Sequence, residues 1–304
     1  MSVSESQVAR RVVGRATAGE RTRDGLFRAA LLLCLFIAIL FLGVLIADVA
    51  IDGVPLITPE FLTNYPSRLN PELSGVRPAL IGTLYLMVLC AAFIVPLGIA
   101  AAVYLEEFAD PGRWYNRLIE VNIQNLASVP SVVYGILGLA FIVRGPVDIW
   151  GLGQGDPILL AGALTLGLLV LPVVIIVARE AIRAVPPSIR EGSLALGATK
   201  WQTIWKQVLP GSIAGITTGV ILALSRAIGE TAPLIMVGAT AFRLSDPTID
   251  SQFSALPIAI FDAAEEPRDE FQILAAGTIV VLLAVLLLMN SIAIYLRNRY
   301  EQKW

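Results

Sequence analysis

The chain has 304 residues, 56% of them hydrophobic and 15% charged, with a formal net charge of −2 and no histidine. An apolar share above the usual ~45–50% excludes a disordered chain and argues against a water-soluble domain of this size, and the balanced charge excludes a nucleic-acid surface built on a basic field. Without histidine there is no imidazole metal ligand, no Ser-His-Asp or Cys-His nucleophile pair and no imidazole pH switch, which removes most hydrolase chemistries.

A hydrocarbon layer of about 30 Å takes roughly 20 helical residues to cross. Six apolar runs reach that length, at 29–47, 78–105, 121–143, 157–178, 209–242 and 271–296. They are continuous rather than alternating with period two, and lipid requires every backbone group to be satisfied within its own segment, so the expected fold is an all-α membrane protein of six transmembrane helices. The expected organisation is a basic arm at 1–25, a first transmembrane helix at 26–51, an exterior loop at 52–77, a transmembrane domain at 78–296 containing a loop at 179–209, and a tail at 297–304. Arg10, Arg11, Arg15, Arg21 and Arg23 precede the first run, as they would in a cleaved leader, but its 19 apolar residues are too many and no small-x-small site follows before Asp48 and Asp52. It reads as a retained anchor. Cys34 and Cys90 lie inside apolar runs, where a small buried side chain is the simplest role and a disulfide framework has no support.

Basic residues favour the cytoplasmic side. Sixteen of them fall on one set of alternate flanks, and only Arg68, Arg77, Arg144, Arg243 and Arg268 on the other. Both termini are therefore expected in the cytoplasm. The opposite side carries the acidic cluster Asp262, Glu265, Glu266, Asp269 and Glu270. Such a surface repels a free anion, which suits delivery by a separate carrier, although a merely solvated acidic loop explains the charge equally well.

Between the fourth and fifth runs, Pro186-Pro187 can start a short helix and Gly197 can stop it, with Ile189, Leu194 and Leu196 as its apolar stripe. Trp201, Ile204, Trp205 and Val208 then recur at i, i+3, i+4 and i+7, an amphipathic pattern whose indoles suit the lipid headgroup level. An interfacial helix that only anchors the loop satisfies these criteria. The spacing from Glu191 to Gly197 and on to Leu209-Pro210 also resembles the coupling loop of ATP-binding-cassette importer permeases, Glu-Ala-Ala-x3-Gly-x9-Ile-x-Leu-Pro. Gly192 and Ser193 stand where that pattern has two alanines, and Gln207 where it has isoleucine.

Other segments resemble the phosphate-specific branch of those permeases. They are Gly82-Thr83-Leu84 with the stretch from Val95-Pro96 to Glu106-Glu107, then Ser128-Val129-Pro130-Ser131-Val132-Val133-Tyr134-Gly135, and Ser225-Arg226-Ala227-Ile228-Gly229-Glu230-Thr231-Ala232-Pro233-Leu234. With Leu256-Pro257-Ile258 the likeness runs from about 81 to 296, and the Glu-Thr-Ala-Pro-Leu ending is closer to the A type of subunit (PstA) than to the C type. The resemblance implies a type I, MetI-like permease bundle in the bacterial cytoplasmic membrane. It implies Glu191, Gly192, Ser193, Leu196, Gly197 and Ala198 as the ATPase coupling surface. The implied partners are a second permease of the PstC type, two copies of a PstB-type nucleotide-binding ATPase, an exterior PstS-type phosphate-binding protein and the lipid bilayer.

Arg226 lies about 22 Å along a helix from Gly211, deep in the apolar run. A central arginine costs roughly 2.5–3.5 kcal/mol on insertion scales, so Arg226 and Glu230 should face the bundle interior or a wet cavity, and four residues apart they can pair. The functional reading has the guanidinium fork contact an oxyanion while Glu230 offsets its charge when the site is empty. Ser225, Thr231 and Tyr134 are candidate hydroxyl donors. The competing reading is an ion pair that only fixes packing. Gly229 allows close backbone approach, or a kink with Pro233, and Pro130 interrupts the third helix in the same way. No Gly-x-x-x-x-Gly-Lys-Ser/Thr loop occurs, so the chain is expected to bind no cofactor and no metal, leaving ATP and magnesium to a partner. An autonomous anion channel or sensor scaffold is the alternative class, and sulfate or molybdate would satisfy Arg226 as well as phosphate.

Overall fold

The computed structural model describes residues 18–110, 112–145 and 156–300, so Arg10, Arg11, Arg15 and Lys303 of the orientation argument lie outside the described residues. The chain divides into two compact units, Met1–Ile51 and Asp52–Trp304. The first is represented by one helix, α1 (Ala18–Gly53), a 36-residue element whose apolar stretch is long enough to cross a membrane.

The second unit contains the short α2 (Pro59–Thr63), α3 (Arg77–Val103), α4 (Trp114–Ala127), α5 (Ser131–Leu137) and α6 (Leu159–Arg183). It continues with α7 (Pro187–Ala195), α8 (Lys200–Thr203), α9 (Leu209–Ile228), α10 (Ala232–Val237), α11 (Leu256–Glu265) and α12 (Asp269–Tyr300). Wide π turns extend α3 over Tyr104–Phe108, extend α5 over Gly138–Val143 and join α8 to α9 over Ile204–Val208. Helix α6 is central and packs against α3, α9, α4 and α10. Its first N–H groups, which have no partner within the helix, are met from outside: Leu159 and Leu160 donate to the carbonyls of Ser251 and Ile249 at 2.9 and 3.1 Å. The main core gathers Leu86, Cys90, Ile94, Leu166, Val170, Ala223 and Phe253, all nearly inaccessible.

Two of the six expected spans are not single helices. Five helices among the described residues are long and apolar enough to cross a membrane, and the remaining expected span is a pair, Trp114–Ala127 and Ser131–Val143, bent by 107°, which has the length and composition of one broken span or of a re-entrant loop. The cause is Pro130, which has no N–H to donate and disfavours helical geometry at Val129, so α4 ends and α5 begins on the far side of the proline. The fifth run also breaks. It reads as apolar to 242, but α9 stops at Ile228, and Pro233, one residue into α10, cannot follow a helical Gly229 without clashing with its carbonyl.

The two broken segments meet. A Cβ on Gly135 of α5 would lie 2.7 Å from Cα of Pro233 and 2.8 Å from Cβ of Met236 in α10. Only a residue without a side chain lets these helices approach so closely.

Candidate functional site

Arg226 and Glu230 do pair, with Arg226 Nε 3.3 Å from Glu230 Oε1. The setting differs from the expected mid-helix position, because Arg226 occupies the last turn of α9 and Glu230 lies in the break beyond it. The negative end of the helix dipole favours a cation there. The Arg226 side chain is 49% exposed and that of Glu230 19%. Only Nε is engaged; Nη1 and Nη2 make no hydrogen bond among the described residues.

The candidate hydroxyls divide. Thr231, half-buried in the same break, uses its hydroxyl in no hydrogen bond among the described residues. Ser225 instead donates to Asn290 Oδ1 of α12 at 2.7 Å. Tyr134 is committed elsewhere: its hydroxyl donates to the Leu126 carbonyl at 2.9 Å, across the bend between α4 and α5, so it is not a donor held ready for an anion. Gly229 caps α9 at the break whose far side holds Pro233, as the kink expectation has it, but nothing approaches it closely. Its φ is −92°, and the only atom near an added Cβ is the Arg226 carbonyl oxygen at 3.8 Å. The break is made by Pro233, with Pro130 making its counterpart.

At the other end of the unit, Pro186 and Pro187 start α7, and Gly197 follows it at φ +84°, the left-handed geometry that ends helices. Arg190 roots this helix: Nη1 and Nη2 donate to the Val185 and Ile182 carbonyls at 2.6 and 2.8 Å, and Nε to Glu107 at 3.0 Å. Ser193 and Thr203 share a hydroxyl hydrogen bond of 2.9 Å, tying α7 to α8. A capping box between Thr199 and Gln202 starts α8. Glu191 is exposed without an ion pair among the described residues, and Leu196 is 91% exposed, an aliphatic side chain presented outward. Gly192 and Gly197 have open space around them, and Ala198 is half-buried. Of the amphipathic pattern, Ile204 and Val208 are buried while Trp201 and Trp205 stay exposed with ring centroids 5.5 Å apart.

Two features escaped sequence reasoning. Asn290 is one polar residue in an apolar run, with no spacing to mark it. The second is an ion-pair network: Glu106 accepts from Arg183 at 2.9 and 3.0 Å, Glu120 accepts from Arg179 at 3.0 Å, and Glu107 from Arg190. The adjacent carboxylates Glu106-Glu107 at the end of an apolar run were the available signal. No cluster of three or more potential metal ligands occurs among the described residues.

The family model of the binding-protein-dependent transport system inner membrane component matches residues 94–302. The chain belongs to that family. This permease is 34% identical over 223 residues to the phosphate transport system permease protein PstA 1 of Mycobacterium tuberculosis (strain ATCC 25618 / H37Rv), covering 73% of this chain and 70% of that one. It is 38% identical over 181 residues to the probable ABC transporter permease protein YqgH of Bacillus subtilis (strain 168), covering 59% of this chain and spanning only 57% of that relative. Among solved structures, a bacterial alginate ABC transporter in complex with an alginate pentasaccharide-bound periplasmic protein aligns at a TM-score of 0.68 and 19% identity, over 93% of this chain and 97% of that one. The inward-facing MetNI methionine ABC transporter aligns at 0.56 and 18%, over 75% and 95%. The fold is thus that of a type I, MetI-like importer permease, and the chain is a multi-pass membrane transport subunit rather than an enzyme.

Proposed function

We propose that this permease is one subunit of an ATP-driven phosphate importer in the bacterial cytoplasmic membrane, with both termini cytoplasmic, and that it forms half of a pathway completed by a second permease. The observation that carries the reading is the Arg226 fork. It sits half-exposed at the end of a broken apolar helix with only Nε engaged, leaving two N–H faces for the oxygens of an anion. Ionisable groups at such breaks in membrane helices ordinarily serve transport. Glu230 competes with the anion for the guanidinium, which keeps binding reversible, and Thr231 adds a neutral donor. The similarity to PstA proteins supports phosphate over sulfate or molybdate.

The outward-facing Glu191 and Leu196 suit docking of a nucleotide-binding partner, which would supply ATP, magnesium and hydrolysis. An exterior binding protein would deliver phosphate. Closure of the ATPase would displace α7, and the packed contact of α5 with α10 offers discrete arrangements by which the pathway opens alternately to either side, provided each state has its own contact energy.

The test is uptake of labelled phosphate and sulfate in cells carrying Arg226→Met, Glu230→Met and the double variant, with membrane abundance measured alongside. Loss of the guanidinium is expected to lower phosphate uptake by about 100-fold or more, the scale of a 2.7 kcal/mol charge-assisted contact, with abundance retained. A double variant that assembles and transports normally would reduce the pair to packing.

A further inference from the structure

Four threonines inside long helices use their hydroxyls locally. Thr83, Thr165, Thr218 and Thr278 each donate to the carbonyl four residues back in their own helix, at 2.7 or 2.8 Å, the ordinary recourse of a hydroxyl that has no water to bond. Ser225, near the end of α9, departs from this pattern. Its hydroxyl leaves the Ile221 carbonyl aside and donates to Asn290 Oδ1 of α12 at 2.7 Å, and Asn290 makes no other side-chain hydrogen bond among the described residues. Serine and asparagine are among the residues that bond across helices in lipid.

The bond is one of two. Arg297 Nη1 of α12 donates to Thr218 Oγ1 of α9 at 3.2 Å. Thr218 lies seven residues before Ser225 and Arg297 seven after Asn290, so in antiparallel helices the two bonds fall on one seam, about 10.5 Å apart. Apolar packing along that seam is incomplete: a groove of about 1010 Å³ opens between α3, α9 and α12, with Leu224, Met289 and Asn290 on its wall. On its other face α9 fits closely, since a side chain on Gly219 would collide with Val177 of α6. Beyond Ile228 no further turn steadies α9, because the chain breaks before α10. On the α12 side, the turn that carries Arg226 is held by a hydrogen bond from the residue next to it.

We propose that Asn290 is a positioning residue for anion transfer: through Ser225 it sets where the last turn of α9 lies against α12, and so where the Arg226 guanidinium stands in the pathway. The inference rests on Arg226 being the anion contact. It gives Ser225 a part other than the one its sequence position suggests, with the hydroxyl holding the helix instead of the cargo. Asn290 itself touches no anion.

The test is labelled-phosphate uptake per assembled complex, with membrane abundance measured alongside, for Asn290→Leu, Ser225→Ala, the two together, and the exchanged pair Ser225→Asn with Asn290→Ser. Thr218→Val, which removes the acceptor of the other bond on the seam, is the matched control. Asn290→Leu and Ser225→Ala are each expected to lower uptake at least about fivefold, equivalent to ~1 kcal/mol, and the double variant no further, because one bond is lost in all three. The exchanged pair conserves the combined reach of the two side chains and is expected to restore uptake to within about twofold. Thr218→Val is expected to stay within about twofold as well. Asn290→Leu frees the Ser225 hydroxyl, so normal uptake there beside a loss in Ser225→Ala would make Ser225 a direct donor to the anion and overturn the proposal. Equal loss in Thr218→Val, an exchanged pair that restores nothing, or losses that abundance accounts for in full would overturn it too, by reducing the seam to packing. Arg226→Met separates this inference from the reading beneath it. Normal uptake in that variant would sink the proposed function and this inference with it, whereas loss there with normal uptake in Asn290→Leu would remove the positioning role alone.

Discussion

A side chain on Gly135 would collide with the backbone of Pro233 and with Cβ of Met236, whereas Gly229, beside the charged pair, has open space and an ordinary φ of −92°. The two glycines therefore make a matched test of what holds the breaks together. Gly135→Ala is expected to cost about 1–3 kcal/mol through overpacking, lowering membrane abundance and the thermal midpoint in detergent. Gly229→Ala is expected to stay within about 0.5 kcal/mol, as substitutions in open surroundings do. Equal losses would mean that Gly229 has a packing role the geometry does not contain. At this scale the pair of Arg226 and Glu230 was legible, because i,i+4 spacing brings two side chains within reach over one turn, and Gly229 keeps right-handed backbone angles as far as the break that holds Glu230. The commitment of the Tyr134 hydroxyl was not, since it reaches the Leu126 carbonyl only through a bend that hydropathy does not register. Nor was the bond from Ser225 to Asn290, which joins residues 65 apart in sequence.

Helix α7 is tied to α8 by Ser193, packs on a buried cluster through Ile189, and is bonded to the end of α6 by Arg190. Arg190 donates to two carbonyls that follow α6 or end it and to Glu107 beyond α3, so in the proposed importer its guanidinium is a polar link from α7 to both helices. Arg190→Ala removes these charge-assisted bonds, on the order of 2 kcal/mol each before solvent screening. Such a variant is expected to keep ATPase association and to import several-fold less phosphate per ATP hydrolysed in a reconstituted complex. Leu196→Asp should act differently: the side chain supports nothing within the chain, so abundance is retained while co-purification of the ATPase is lost. Unchanged coupling in the first variant, or retained association in the second, would remove α7 from the proposed relay. The extent of this element could be read from its proline start and glycine stop, which are local signals. Its anchoring could not, because Arg190 and Glu107 are 83 residues apart and nothing in either neighbourhood names the other.

The whole-molecule question is whether the bent pair crosses the membrane or returns to the side it entered from. Glu120 of α4 meets Arg179 near one end of α6, and Val143 after α5 shares a buried cluster with Ile158 and Ala161 at the other. From Ala161 to Arg179 the helix rises about 27 Å, close to the ~30 Å of hydrocarbon. The pair thus runs the length of a spanning helix in spite of its 107° bend. Charge agrees. With six crossings, sixteen basic residues fall on one side and five on the other; with five, the segments after the bend change sides and the division becomes eleven against ten, no bias at all. Apolar length was enough to find the spans, but a composition that stays apolar across a break cannot say where a helix stops. In a background of Cys34→Ser and Cys90→Ser, single replacements Asp24→Cys, Ser188→Cys and Asn298→Cys are expected to resist an impermeant thiol reagent in intact cells, and Asp250→Cys to react with it. Labelling of Ser188→Cys from outside would carry α7 to the exterior face, beyond reach of any cytoplasmic ATPase, and the proposed importer would have no source of work.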